Sequence, residues 1–219
     1  ADALRAMKSF AFRDLLLLQL RNLEEKKKLR EQDAYPVKVS KEDLYQILSY
    51  LPFELTETQT TTLREILSDM ENSHPMNRLL QVDVGSGKTI IAGIGALVAA
   101  RNGYQTAFMA PTEILARQHF KTLVKFFEEH TGGIALLTSK ESLVFYGDGL
   151  QTKIKKTELL KSVRSGKVSI VVGTHALIQK QIEFGNLALV IVDEQHRFGV
   201  EQRAILARGM EIFPHFLSM

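Results

Sequence analysis

Apolar residues along the chain change rhythm as it proceeds. Over residues 2–31, Leu4, Met7, Ala11, Leu15, Leu18 and Leu29 recur at helical spacing with neither Gly nor Pro between them, which predicts one long helix. Its middle, Leu15-Leu16-Leu17-Leu18-Gln19-Leu20, is apolar nearly all round, so the pattern predicts cover on more than one face. A short helix over residues 41–50 ends at Pro52, and Thr56 suits the N-cap of a helix over residues 57–71. From Arg78 onward, short apolar runs at residues 79–84, 105–110, 134–138, 168–172 and 187–192 alternate with helical stretches, and residues 212–219 read as a strand stopped in mid-run. Continuously apolar strands separated by helices predict an α/β domain, a doubly wound parallel sheet with helices on both faces. Between Ser139 and Gly166 the pattern weakens. Gly147-Asp148-Gly149 marks a loop, and Lys153, Lys155, Lys156, Lys161, Arg164 and Lys167 surround a predicted helix.

Composition narrows the chemistry. The 219 residues include no cysteine and no tryptophan, so there is no disulfide framework and no thiolate zinc or iron–sulfur site; the six histidines never fall into an H-E-x-x-H spacing. The longest nearly unbroken apolar stretch, residues 90–100, contains two glycines and is shorter than the ~18 residues of a membrane-spanning helix. No signal-peptide pattern opens the chain, and a soluble protein with no membrane partner is expected. A net charge of +3 is compatible with a polyanionic partner without demanding one. The run Lys26-Lys27-Lys28-Leu29-Arg30 follows Glu24-Glu25 and reads as a solvated helix surface paired at i,i+4. Because the chain opens on Ala1 inside a helical pattern and stops inside a strand, it is expected to be a piece of a longer protein.

The strongest chemical signal follows the predicted strand at residues 79–84. Asp83-Val84-Gly85-Ser86-Gly87-Lys88-Thr89 opens a predicted helix over residues 90–101 and forms a P-loop. Consecutive backbone N–H groups of such a loop, with the positive end of the helix, surround the phosphates of a nucleotide. Lys88 is expected to reach the β- and γ-phosphates and the Thr89 hydroxyl to hold Mg²⁺. The full pattern G-x-x-x-x-G-K-[ST] asks for glycine where this chain has Val82. A β-branched residue is harmless there if the backbone is strand-like, and damaging if φ must be positive. A second strand, Leu189-Val190-Ile191-Val192, ends in Asp193-Glu194, the Walker B arrangement. In a parallel sheet both strand ends reach the same edge, where Asp193 would support the metal and Glu194 would orient and deprotonate water. Upstream, Gln59 offers a donor and an acceptor to the edge of adenine and Phe53 a face for the base, although the N-cap role of Thr56 explains that segment equally well.

Five segments appear in order: Phe53-x-Leu55-Thr56-x-x-Gln59, the Gly85–Thr89 loop, Ala110-Pro111-Thr112-Glu113-Ile114-Leu115-Ala116-x-Gln118-His119, Gly173-Thr174-His175-Ala176-Leu177-Ile178-Gln179, and Asp193-Glu194-Gln195-His196-Arg197-Phe198-Gly199-Val200-x-Gln202-Arg203. Together they closely resemble helicase domain 1 of the RecG family, superfamily 2 DNA translocases that remodel stalled replication forks and branched DNA. The resemblance covers residues 51–203. More loosely, residues 12–20 are similar to that family's long helix between its DNA-binding wedge and its motor. The resemblance implies a P-loop NTPase fold of RecA type, with residues 1–37 as the linker helix and residues 38–219 as the ATP-binding domain. It implies adenine binding by Phe53 and Gln59, coupling of nucleotide state to DNA by Gln195 and His196, and DNA-backbone contacts along Pro111, Thr112, Thr138, Gly173, Thr174 and His175. Also implied are ATP and Mg²⁺ as cofactors, forked DNA as partner, and a monomeric, cytoplasmic parent whose wedge and second motor domain are not in this chain. Thr138-Ser139 stands where the family has Thr-Gly. Without the arginines of a second motor domain, the chain alone is expected to bind nucleotide weakly, hydrolyse it very slowly and unwind nothing. A nucleotide-dependent DNA-binding or scaffold module without hydrolysis is the alternative. Intact Lys88, Thr89, Asp193 and Glu194 favour the motor.

Overall fold

The computed structural model describes residues 2–81, 87–147, 149–174, 177, 182–193 and 211–219. Among them the chain forms α1 (Asp2–Arg30), α2 (Lys41–Ser49), α3 (Glu57–Met70), β1 (Asn77–Leu79), α4 (Lys88–Arg101), β2 (Gln105–Met109), α5 (Glu113–Phe126), β3 (Ile134–Leu137), β4 (Ser142–Phe145), β5 (Gln151–Lys153), α6 (Lys156–Arg164), β6 (Ile170–Gly173), β7 (Leu187–Val192) and β8 (His215–Ser218). The strands join in one sheet ordered β1-β8-β7-β2-β6-β3-β4-β5. From β1 to β3 every pairing is parallel, as the strand–helix alternation predicts. The last two pairings, β3 with β4 and β4 with β5, are antiparallel, so a two-strand antiparallel extension is added to the expected parallel sheet. Connection length explains this. Only residues 138–141 separate β3 from β4, too few for a helical crossover, so the chain must turn back on itself.

Alternating side chains of the central strands feed two cores. Phe108, Leu136, Val172 and Ile191 pack with α3, α4 and α5; Ala107, Met109, Leu137, Val171, Val190 and Val192 pack with Leu159 and Val163 of α6. Helices therefore cover both faces. The helix α4 is buried over residues 90–99, which is why its sequence carries no polar stripe. The P-loop strand departs from its predicted place: β1 covers residues 77–79 rather than 79–84, and residues 82–84 lie outside the described residues. It is an edge strand that pairs with β8, and Leu79 is half exposed. Arg78 anchors it to Glu65 and Asp69 of α3.

Leu15, Leu16, Leu17 and Leu18 of α1 are about half exposed, so the described residues do not supply the cover their pattern predicts. Lys27 and Lys28 are exposed, as expected of a solvated face. No helix among the described residues is long and apolar enough to cross a membrane. After α1 the chain joins the main core. The Ala34 and Val37 N–H groups donate to Ser73 O and Met70 O, both at 2.8 Å, and Val37 is fully buried. The strand predicted at the end of the chain is β8, inserted between β1 and β7.

Candidate active site

Leu79, Ser218, Val192, Met109, Gly173 and Leu137 lie in one register row across six parallel strands, so whatever follows those strands is delivered to one edge. Val82, Asp83, Val84, Gly85 and Ser86 lie outside the described residues. The loop is met again at Gly87, which has φ of 83°, in the left-handed region, and caps α4. Lys88 and Thr89 form the first turn of that helix, where its N–H groups and positive end concentrate. A Cβ on Gly87 would stand 2.7 Å from Gln59 Nε2, so the glycine is what lets that amide lie against the loop.

Gln59 also completes a capping box. The Thr56 N–H donates to Gln59 Oε1 (2.9 Å) and the Gln59 N–H donates to Thr56 Oγ1 (3.3 Å). Of the two roles open to this segment, the cap is formed: Gln59 Oε1 closes the start of α3, and Nε2 lies beside Gly87. Phe53 is 45 % exposed and packs edge-on against Phe126, with ring centroids 5.8 Å apart. Beside it opens a cavity of about 490 Å³, walled by Tyr45, Leu51, Pro52, Phe53 and Thr60.

His119, to which no role attaches in the sequence alone, joins the two ATP motifs. Its ring lies against Phe108 at 4.9 Å and is 6 % exposed. Nε2 is 2.7 Å from Asp193 Oδ2, and Nδ1 is 3.4 Å from Thr89 Oγ1. A carboxylate only accepts, so Nε2–H donates to Asp193, and in the neutral ring Nδ1 accepts from the Thr89 hydroxyl. Asp193 itself is fixed by its N–H, which donates to Met109 O (2.9 Å). The available signal was a polar residue on the inward face of α5, between buried Ala116 and Leu123.

Pro111-Thr112, Thr138 and Gly173-Thr174 leave the sheet beside one another, where β2, β3 and β6 end. Each also has a local task. Thr112 caps α5 by accepting from the Leu115 N–H (3.3 Å). The buried Thr138 hydroxyl accepts from the N–H groups of Lys140 and Glu141. A Cβ on Gly173 would collide with Leu137 O, so packing alone requires glycine there. The loop after Thr138 is clamped to α5, through Ser139 and Lys140 on Glu113 and through Arg117 on Glu141. The Ser139 hydroxyl, helped by Lys140, holds the Glu113 carboxyl below its ordinary pKa. His175, Glu194, Gln195 and His196 lie outside the described residues.

The chain is 43% identical to the ATP-dependent DNA helicase RecG of Aquifex aeolicus over 213 residues, 97% of this chain and 26% of that protein. It is 48% identical to the RecG of Bacillus subtilis over 199 residues, 90% of this chain and 28% of that one. It thus spans roughly a quarter of the length of these relatives. A solved structure of RecG bound to a three-way DNA junction superimposes with a TM-score of 0.79 at 36% identity, covering 95% of this chain and 26% of that one. The UvsW helicase of bacteriophage T4, at 17% identity and a TM-score of 0.58, shares the fold, that of a RecA-like helicase domain. Residues 56–217, most of the chain, match the DEAD/DEAH box helicase family, and the chain belongs to it.

Proposed function

We propose that this chain is the first motor domain of an ATP-dependent DNA helicase that remodels branched DNA, with residues 1–37 linking it to a preceding DNA-binding domain and residues 38–219 forming the ATP half-site. One observation supports this above the others: Thr89 of the P-loop and Asp193 after β7 meet across a single buried ring, His119. Two oxygen donors so held suit Mg²⁺, which keeps most of its ligands as water and phosphate and needs no protein cage. When bound, the metal neutralises charge on the β- and γ-phosphates.

The chain's own residues do the rest. Gly87 and the first turn of α4 present N–H groups to phosphate, and Lys88 adds a point charge. Gln59 and Phe53 take the adenine, and Glu194, next after Asp193, activates water. His119 aims the Thr89 hydroxyl and the Asp193 carboxylate, and Gln195 and His196 couple nucleotide state to DNA. The edge built by Pro111, Thr112, Thr138, Gly173, Thr174 and His175 faces a DNA backbone. Neutral amides and hydroxyls suit that task because phosphate contacts carry no sequence information and permit stepping.

The test is ATP turnover by the protein at its full natural length, with and without three-way-junction DNA. Stimulation by the junction, abolished in Lys88→Ala, is expected. Mg-nucleotide binding that depends on Lys88 but never leads to turnover would instead identify the scaffold module.

A further inference from the structure

The β4–β5 hairpin has no part in the site described above. It carries the sheet two strands beyond β3, on the side of the Thr138 loop. Register fixes where its basic end lies. Leu137 pairs with Ser142, Leu143 pairs with Lys153, and the Ile154 N–H donates to Ser142 O (3.1 Å). Lys153, Ile154 and Lys155 therefore leave β5 at the same edge as Thr138, further out along the row of strand ends. Ile154 packs on the smaller core, which turns its neighbours outward. Lys153, Lys155 and Lys156 are exposed, and none has an ion-pair partner among the described residues. Glu113 and Glu141, the nearby carboxylates on α5 and the loop, are already engaged by Lys140, Ser139 and Arg117. Lys155 caps α6, whose first-turn N–H groups add positive potential against the single carboxylate of that turn, Glu158.

We propose that Lys153, Lys155 and Lys156 form an outer phosphate-binding strip, so that a DNA backbone crossing the ends of β2, β6 and β3 is also held over β5. This rests on the DNA reading above. At about 4.8 Å per strand, the four steps from β2 to β5 span about 19 Å, the axial length of about five or six nucleotides. The inner strand ends offer amides and hydroxyls; the strip supplies the positive charge they lack. Lysine on an edge strand also deters edge-to-edge pairing. That task is met by Lys153 alone and gives no reason for Lys155 and Lys156, which lie past the strand.

The test measures binding of the full-length protein to a fluorescein-labelled three-way-junction DNA by anisotropy over a KCl series. K153Q/K155Q/K156Q is expected to weaken binding at least about tenfold at about 150 mM KCl and to lower the slope of log K against log salt by about 2 to 3. DNA-independent ATP turnover and melting temperature should not change, and arginine at the three positions should restore binding. K161Q/R164Q/K167Q removes equal charge further along and beyond α6 and should bind as the wild type does. Unchanged affinity and slope in the first variant, or an equal loss in the second, overturns the strip and leaves the DNA reading standing. A wild-type protein that does not bind the junction overturns both.

Discussion

His119 takes its place from packing and its role from hydrogen bonding. Phe108 and the inward face of α5 hold the ring where, among the described residues, two polar side chains are hydrogen-bonded to it, and both belong to the ATP motifs. Removing such an outer partner of a metal site typically costs about 10- to 100-fold in activity or metal affinity. His119→Ala is therefore expected to lower turnover by that order and to raise the Mg²⁺ concentration needed for half-maximal rate, while metal-free nucleotide binding holds. His119→Gln, which keeps a donor for Asp193, should recover part of the loss. A variant with normal turnover and Mg²⁺ demand would show the ring to be packing only. The P-loop and Asp-Glu motifs can be named from sequence because each is a local string. The histidine cannot, because its partners lie 30 and 74 residues away and only the sheet brings them together.

Among the elements, α3 starts on a cap whose Gln59 is also the residue proposed to take the adenine. Gln59 Oε1 holds the helix start and Nε2 addresses Gly87, so the atoms can be separated by substitution. Gln59→Glu retains the acceptor for the Thr56 N–H and replaces with an oxygen the donor that the proposed adenine contact needs. Stability is expected to stay within about 0.5 kcal/mol, as for a surface change, while nucleotide affinity falls about tenfold. Parallel melting and nucleotide-titration curves check this; equal losses in both, or in neither, would refute the division of labour. Helices α1, α2 and α3 were readable from apolar spacing and caps, and β2, β3, β6 and β7 from apolar runs. The strand β5, Gln151-Thr152-Lys153, has every residue exposed and no pattern of its own, so only its pairing with β4 makes it a strand. The shift of β1 has the same origin: at an edge, the burial that writes an apolar run is absent.

Across the whole molecule, one buried histidine, His215, and one half-buried, His130, tie distant segments together and set a common response to acid. His215 in β8 accepts from the Met76 N–H at Nδ1 (3.0 Å) and donates from Nε2 to Tyr35 O (2.8 Å), joining the segment after α1 to β8 and to the residue that precedes β1. Burial pushes its pKa down, with His74 adding to the shift and the Tyr35 carbonyl and Asp69 opposing it. His130 bonds through Nε2 to Ser169 Oγ (2.8 Å), and that hydroxyl donates to Gly133 O (3.2 Å). Burial, aided by the charge of Arg101, pushes the His130 pKa down to about 4. Both groups fold in the neutral form, so the unfolded chain takes up protons first as pH falls below the ordinary value of about 6.5. Their contribution is fully present above that value and is lost on acidification, for His130 down to about pH 4. Between about pH 7 and 5, His130 alone should cost about 2 kcal/mol, or about 4 to 8 °C in melting temperature for a domain of this size. His130→Gln keeps a neutral donor for Ser169 and cannot titrate, so its melting temperature should fall by less than the wild type's over that range. Identical pH profiles for the two proteins would mean that His130 is not held neutral by the fold.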